Sequence, residues 1–212
     1  MSSTDDVRQE FTDAERELLL SIACRSIRCG LDTGQPPAID IDSYPGRLSA
    51  RRASFVTLHA GEKLRGCIGT LEPRVSLVED INLNAYAAAF RDTRFTPLRV
   101  DELATLTLHI SVLGTPVIIE SDSESSLLAK LRPGIDGLIL QEHDFRSTFL
   151  PSVWESLPEP EKFLGQLKLK AGLAADYWSS TVRIWRYTTE SFSASVPDIS
   201  ETGRDYRVEV LK

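Results

Sequence analysis

Leu64-Arg65-Gly66-Cys67-Ile68-Gly69-Thr70 follows Phe55-Val56-Thr57-Leu58 across a Gly61-Glu62 pair, and this hairpin signal decides for antiparallel pairing. In an extended run Arg65 and Cys67 fall on one face. Two glycines weaken a strand, so Gly66 and Gly69 point to a bulge, or to a close approach by another backbone or a ligand. A guanidinium beside a thiol favours the thiolate, the form of cysteine that acts as a nucleophile. Gly61-Glu62 suits a two-residue type II′ turn. With an even loop His59 falls on the face opposite Cys67 and is set aside as its base; only an odd loop, such as Ala60-Gly61-Glu62, would place it on the shared face.

Working outward, Thr12 and Glu15 form a capping box, and Leu18, Leu19, Ile22, Ala23 and Ile27 recur at helical spacing. This predicts a helix from about Asp13 to Cys29, stopped by Gly30. The proline-containing stretch from Asp32 to Pro45 reads as a connector. Ser76 and Glu79 form a second capping box, starting an alanine-rich helix that ends near Asp92. Leu106, Leu108, Ile110 and Val112 alternate with Thr105, Thr107, His109 and Ser111, a strand with one apolar and one polar face. A short helix around Ser126 to Leu131, strands at Leu138 to Leu140 and Phe145 to Leu150, a helix from Pro160 to Gly172 and a strand from Val182 to Tyr187 complete the pattern. The class is α+β, a mainly antiparallel sheet flanked by helices. Residues 10–196 are expected to form one compact unit of two subdomains, with 197–212 a peripheral tail or, through Tyr206 to Leu211, an edge strand.

The chain has 24 basic and 31 acidic residues, a net charge of −7 and a pI near 5.1, which argues against nucleic acid as a partner. An odd set of three cysteines, an N-terminus without signal-peptide features, and the lack of an apolar run near the ~18 residues a bilayer requires predict a cytoplasmic protein away from membranes. Cys24 and Cys29, about 140° apart on a helix, are expected on different faces. No zinc spacing, iron–sulfur cysteine run or phosphate loop is present, so no cofactor is expected.

Several segments taken together resemble the AMMECR domain family, the bacterial system protein A of the AmmeMemoRadiSam grouping. They are Phe55-Val56-Thr57-Leu58, Leu64-Arg65-Gly66-Cys67-Ile68-Gly69, Asn84-Ala85, Asp92-Thr93-Arg94-Phe95-Thr96-Pro97, Ile110-Ser111-Val112-Leu113, Gly134-Ile135-Asp136-Gly137-Leu138, Thr148-Phe149-Leu150-Pro151-Ser152-Val153-Trp154 and Lys168-Leu169-Lys170-Ala171-Gly172-Leu173. The resemblance implies two interacting subdomains with the Arg-Gly-Cys-Ile-Gly segment near a cleft between them. It also implies a Memo-like protein and a radical SAM protein as partners.

The residues expected to bind a small anionic ligand are Arg65, Gly66, Gly69, Asn84 and Arg94, with Cys67 as the candidate nucleophile. Each has a structural alternative. Cys67 can be a small buried hydrophobe, Arg65 the partner of a structural carboxylate, and Asp92 with Arg94 a local pair around a loop pinned by Phe95. Asn84, mid-helix, needs a partner for its amide. His109 lies on the polar strand face, His143 in the turn Glu142-His143-Asp144, and Pro151 and Trp154 are expected to anchor a packed corner.

Overall fold

The computed structural model describes residues 10–44 and 46–201. The chain divides into two units: one runs to Val112 and resumes at Glu190, and the other comprises Leu113–Thr189. Helix α5 (Val196–Glu201) crosses the expected boundary at 196/197, with Val196 buried in the first core. The edge strand expected at Tyr206 to Leu211 lies outside the described residues.

In the first unit, α1 (Asp13–Thr33) begins with the Thr12/Glu15 capping box. It runs past Gly30 to Gly34, whose φ of 75° ends it. Gly30 fails to stop the helix because it serves packing: a Cβ there would sit 2.3 Å from the Phe90 ring. The hairpin forms as β1 (Ser54–Ala60) and β2 (Lys63–Gly69), closed by Gly61-Glu62. Gly61 has φ 61° and Glu62 is not among the positive-φ residues, as a type II′ turn requires. Helix α2 (Leu77–Phe90) starts at Ser76, which accepts from Glu79 N–H; the reciprocal half of the expected box does not form.

Strand β3 (Leu106–Leu113) pairs antiparallel with β1. With β8 (Thr189–Ser195) the sheet order is β2-β1-β3-β8. Val56, Leu58, Leu106, Leu108 and Ile110 form the apolar face with the buried alanines of α2, and α1 packs on α2. Burying that face is the main favourable term in forming this unit.

The second unit has its own sheet, in the order β4-β7-β5-β6, and its own core. Its strands are β4 (Val117–Ile118), β5 (Gly137–Glu142), β6 (Phe145–Phe149) and β7 (Arg183–Tyr187); its helices are α3 (Glu124–Leu128) and α4 (Pro160–Lys170). Leu138, Leu140 and Ile184 pack with Phe163, Leu164 and Leu167 of α4. Trp154 anchors the corner as expected: it stacks on Phe163 at 3.7 Å and donates from Nε1 to Asp136 O. Both sheets are antiparallel, and the class is α+β. Among the described residues no helix is long and apolar enough to cross a membrane.

Candidate functional site

The register of β1 with β2 overturns the strand-parity expectation. Ala60 pairs with Lys63 and His59 with Leu64, but Leu58 then pairs with Gly66, leaving Arg65 as the extra residue of a β-bulge. Beyond it, Thr57 lies opposite Cys67, and Thr57 also lies opposite His109 on β3. Cys67, Thr57 and His109 thus form a row across three strands, on the face that also carries His59. The turn has the expected even length; the bulge reverses the parity behind it.

This face is half-buried and polar. Thr57 Oγ1 donates to Cys67 Sγ at 3.2 Å. His59 and His109 meet edge to face with ring centroids 4.8 Å apart, and His59 Nδ1 is buried without a hydrogen-bond partner. Burial, reinforced by His59, holds the His109 pKa below its usual value and favours the neutral imidazole.

The outer edge of β2 is covered by the turn after α2. Cys67 N–H donates to Asp92 Oδ2 at 2.9 Å, and Arg94 Nη2 donates to Cys67 O at 3.2 Å. The two side chains are joined through Arg94 Nε to Asp92 Oδ1 (2.9 Å) and Nη2 to Oδ2 (2.7 Å). They give the exposed edge the hydrogen bonds another strand would supply. The Asp92 carboxyl is held far below the usual carboxylate range, chiefly by Arg94, against the opposing effect of burial. Arg94 is raised in turn by Asp92 first and, to a lesser extent, by Cys67. The arginine bonded to the cysteine, through its backbone carbonyl, is Arg94.

Arg65 pairs with a carboxylate. Its Nε and Nη2 donate to Glu102 at 2.6 and 3.1 Å, and that contact leads the lowering of the Glu102 pKa. Its Nη1 is buried without a hydrogen-bond partner. The Phe95 ring lies near both guanidiniums, with Arg65 Cζ 6.0 Å and Arg94 Cζ 5.5 Å from its centroid.

Gly66 belongs to the opposite, core face. A Cβ there would stand 2.1 Å from Ala88 O, so its absence permits the contact between β2 and α2. Gly69 packs under the Phe55 ring. Asn84 is 4% exposed and donates to Ser54 O and Asp80 Oδ2, apart from the Cys67 row. It belongs to a network in which Asp80 also accepts from Ser54 N–H, Ser54 Oγ and Thr70 Oγ1. Burial leads the raising of the Asp80 pKa. The spacing of Asp80 and Asn84 by one helical turn was the available signal for this pair. Thr57 and Glu102 gave none until the register was known. His143 occupies its expected turn, 70% exposed at the side chain and with φ 50°. Cys24 and Cys29, expected on different faces, line one groove. Among the described residues no three His, Cys, Asp or Glu side chains converge as a metal-binding group.

Comparison with known proteins agrees with this architecture. Protein MJ0810 of Methanocaldococcus jannaschii is 35% identical over 75% of this chain and 81% of its own length. Protein SSO0193 of Saccharolobus solfataricus is 33% identical over 91% of this chain and 87% of its own. The crystal structure of an uncharacterized protein, PH0010 from Pyrococcus horikoshii, superposes with a TM-score of 0.76 at 32% identity, covering 89% of this chain and 95% of that one. The AMMECR1 family model matches residues 20–192, which include the second sheet and the Cys67 row, and the chain belongs to the AMMECR1 family.

Proposed function

We propose that this protein binds a small anionic ligand on the polar face of its first sheet, and that it acts in the cytoplasm with Memo-like and radical SAM proteins. The observation carrying the binding reading is the bulge at Arg65, which gathers Cys67, Thr57, His59 and His109 on one face with Arg94 at its edge. The Arg94 side chain is 55% exposed while Asp92 fixes its position, so its charge is oriented before a ligand arrives. The buried, unpartnered Nη1 of Arg65 is a further donor of the same sign. Titration with malonate and with inorganic phosphate, followed by calorimetry, tests this reading. Arg94→Gln is expected to weaken binding about tenfold by removing a charged hydrogen-bond donor; unchanged affinity would refute the assignment. The partners are tested by pull-down, in which Cys67→Ser retains both.

A second reading makes Cys67 a nucleophile, and the histidines on its face favour it. Distance decides what they could do. Two strand spacings of about 4.8 Å separate the backbones carrying Cys67 and His109, so the imidazole serves the reacting atoms of a bound molecule and not the thiol directly. In this reading Cys67→Ser binds the anion normally and loses all turnover, while His109→Gln retains cysteine alkylation.

A further inference from the structure

The registers that set Cys67, Thr57 and His109 in one row set a further row on each side of it. Towards the turn, His59 lies opposite Leu64 of β2 and Thr107 of β3; away from it, Phe55 lies opposite Gly69 and Ser111. Both flanking rows carry large side chains. Leu64, opposite His59, is 39% exposed, and the Phe55 ring lies across Gly69, where a Cβ would come within 2.3 Å of it. The middle row is small at Cys67 and Thr57 and rises only at the His109 ring, which meets His59 edge to face. Small residues between bulky rows, each about 7 Å away along β1, make a trough that crosses the strands. Its two ends differ. Arg94, at the β2 end, uses Nε and Nη2 on Asp92 and Cys67 O, and its Nη1 takes no part in these bonds. His109, at the β3 end, is kept neutral by burial, and a neutral imidazole offers one donor and one acceptor. The strands carrying Cys67 and His109 are two spacings apart, about 10 Å. Phosphate and malonate are too short to touch both ends.

We infer that the ligand of this face is a flat aromatic carboxylate with an uncharged hydroxyl at the end remote from the acid. This rests on the reading of the face as an anion site and specifies the anion. The carboxylate meets Arg94, the ring lies over Cys67 and Thr57 between Leu64 and Phe55, and the hydroxyl reaches His109. A ring with a substituent at each end bridges the two strand spacings. A planar body suits a trough bordered by the Phe55 and His59 rings, because ring pairs contribute beyond the area they bury. A neutral imidazole supplies no charge to balance a second carboxylate, so the remote group is uncharged.

Calorimetric titration of the full chain with 4-hydroxybenzoate, benzoate, cyclohexanecarboxylate and malonate tests the inference. The expected order has 4-hydroxybenzoate tightest and benzoate about tenfold weaker for want of the hydrogen bond to His109. Cyclohexanecarboxylate, of similar size but not flat, and malonate bind more weakly than benzoate. His109→Leu brings 4-hydroxybenzoate and benzoate to equal affinity. Thr57→Leu, which fills the floor of the trough, costs the aromatic acids more than malonate. Cyclohexanecarboxylate or malonate bound as tightly as benzoate, or a hydroxyl preference that is absent or survives His109→Leu, would overturn the inference and leave the anion site standing. Failure of all four acids to bind would remove the anion site and the inference with it.

Discussion

Gly66 and Asp92 show how closely single residues hold the Cys67 strand. A Cβ at Gly66 would lie 2.1 Å from a backbone oxygen of α2, a clash that no rotamer can relieve. Gly66→Ala is therefore expected to destabilise the protein by about 3 kcal/mol, read as a lower urea midpoint, whereas a tolerated alanine would show that α2 can shift away. Asp92 has a pH signature. Its carboxyl is depressed in the folded state, so its contribution is fully present above the unfolded value of about 3.9 and lost as pH falls through the folded one. Asp92→Asn should lower Tm at neutral pH, and the gap to the wild type should close in acid. Asp80 works in the opposite sense, since its raised pKa makes its contribution greatest below the ordinary carboxylate value and lost as pH rises through the folded one. Acid denaturation profiles of the wild type and Asp92→Asn separate the two, because only the Asp92 contribution disappears in the variant.

At the scale of elements, the hairpin, the amphipathic helices and the class were legible in the sequence, because turn chemistry and apolar periodicity are local properties. The register behind the turn was not. The glycines of the Arg65-Gly66-Cys67-Ile68-Gly69 run carried both a bulge signal and a close-approach signal, and both occur, the bulge at Arg65 and the close approach at Gly66. What the run could not reveal is which residue is left unpaired, since that depends on α2 meeting Gly66 and on Glu102 meeting Arg65, both distant in sequence. Gly30 makes the same point: packing against Phe90, invisible locally, sends the helix on to Gly34. The register has a direct test. Cys67 N–H and C=O both turn outward to Asp92 and Arg94, so Thr57 and Cys67 form a non-hydrogen-bonded pair, whose Cα atoms lie about 4.5 Å apart. Thr57→Cys is thus expected to form a disulfide with Cys67 under mild oxidation, and Val56→Cys, on the core face, is not. A disulfide at position 56 would restore the uninterrupted parity and remove His59 from the Cys67 face.

For the whole molecule, the chain order makes the second unit an insertion into the first. Residues 113–189 leave after β3 and return at β8, and these two strands are neighbours in one sheet. At the neck, Gly114 N–H donates to Thr188 O at 2.8 Å, so the ends of the insertion lie side by side. Each unit buries its own apolar cluster, and the residues of one cluster do not recur in the other. Adjacent ends and a separate core are the conditions under which an inserted unit can be removed without opening its host. Replacing residues 114–188 by a short Gly-Ser loop should leave a first unit that unfolds cooperatively and keeps slowly exchanging amides in β1, β3 and α2. In that shortened chain Thr57→Cys should still pair with Cys67. An expanded product with native-like far-ultraviolet but no near-ultraviolet circular dichroism would instead show that the Cys67 face needs the inserted unit for its packing.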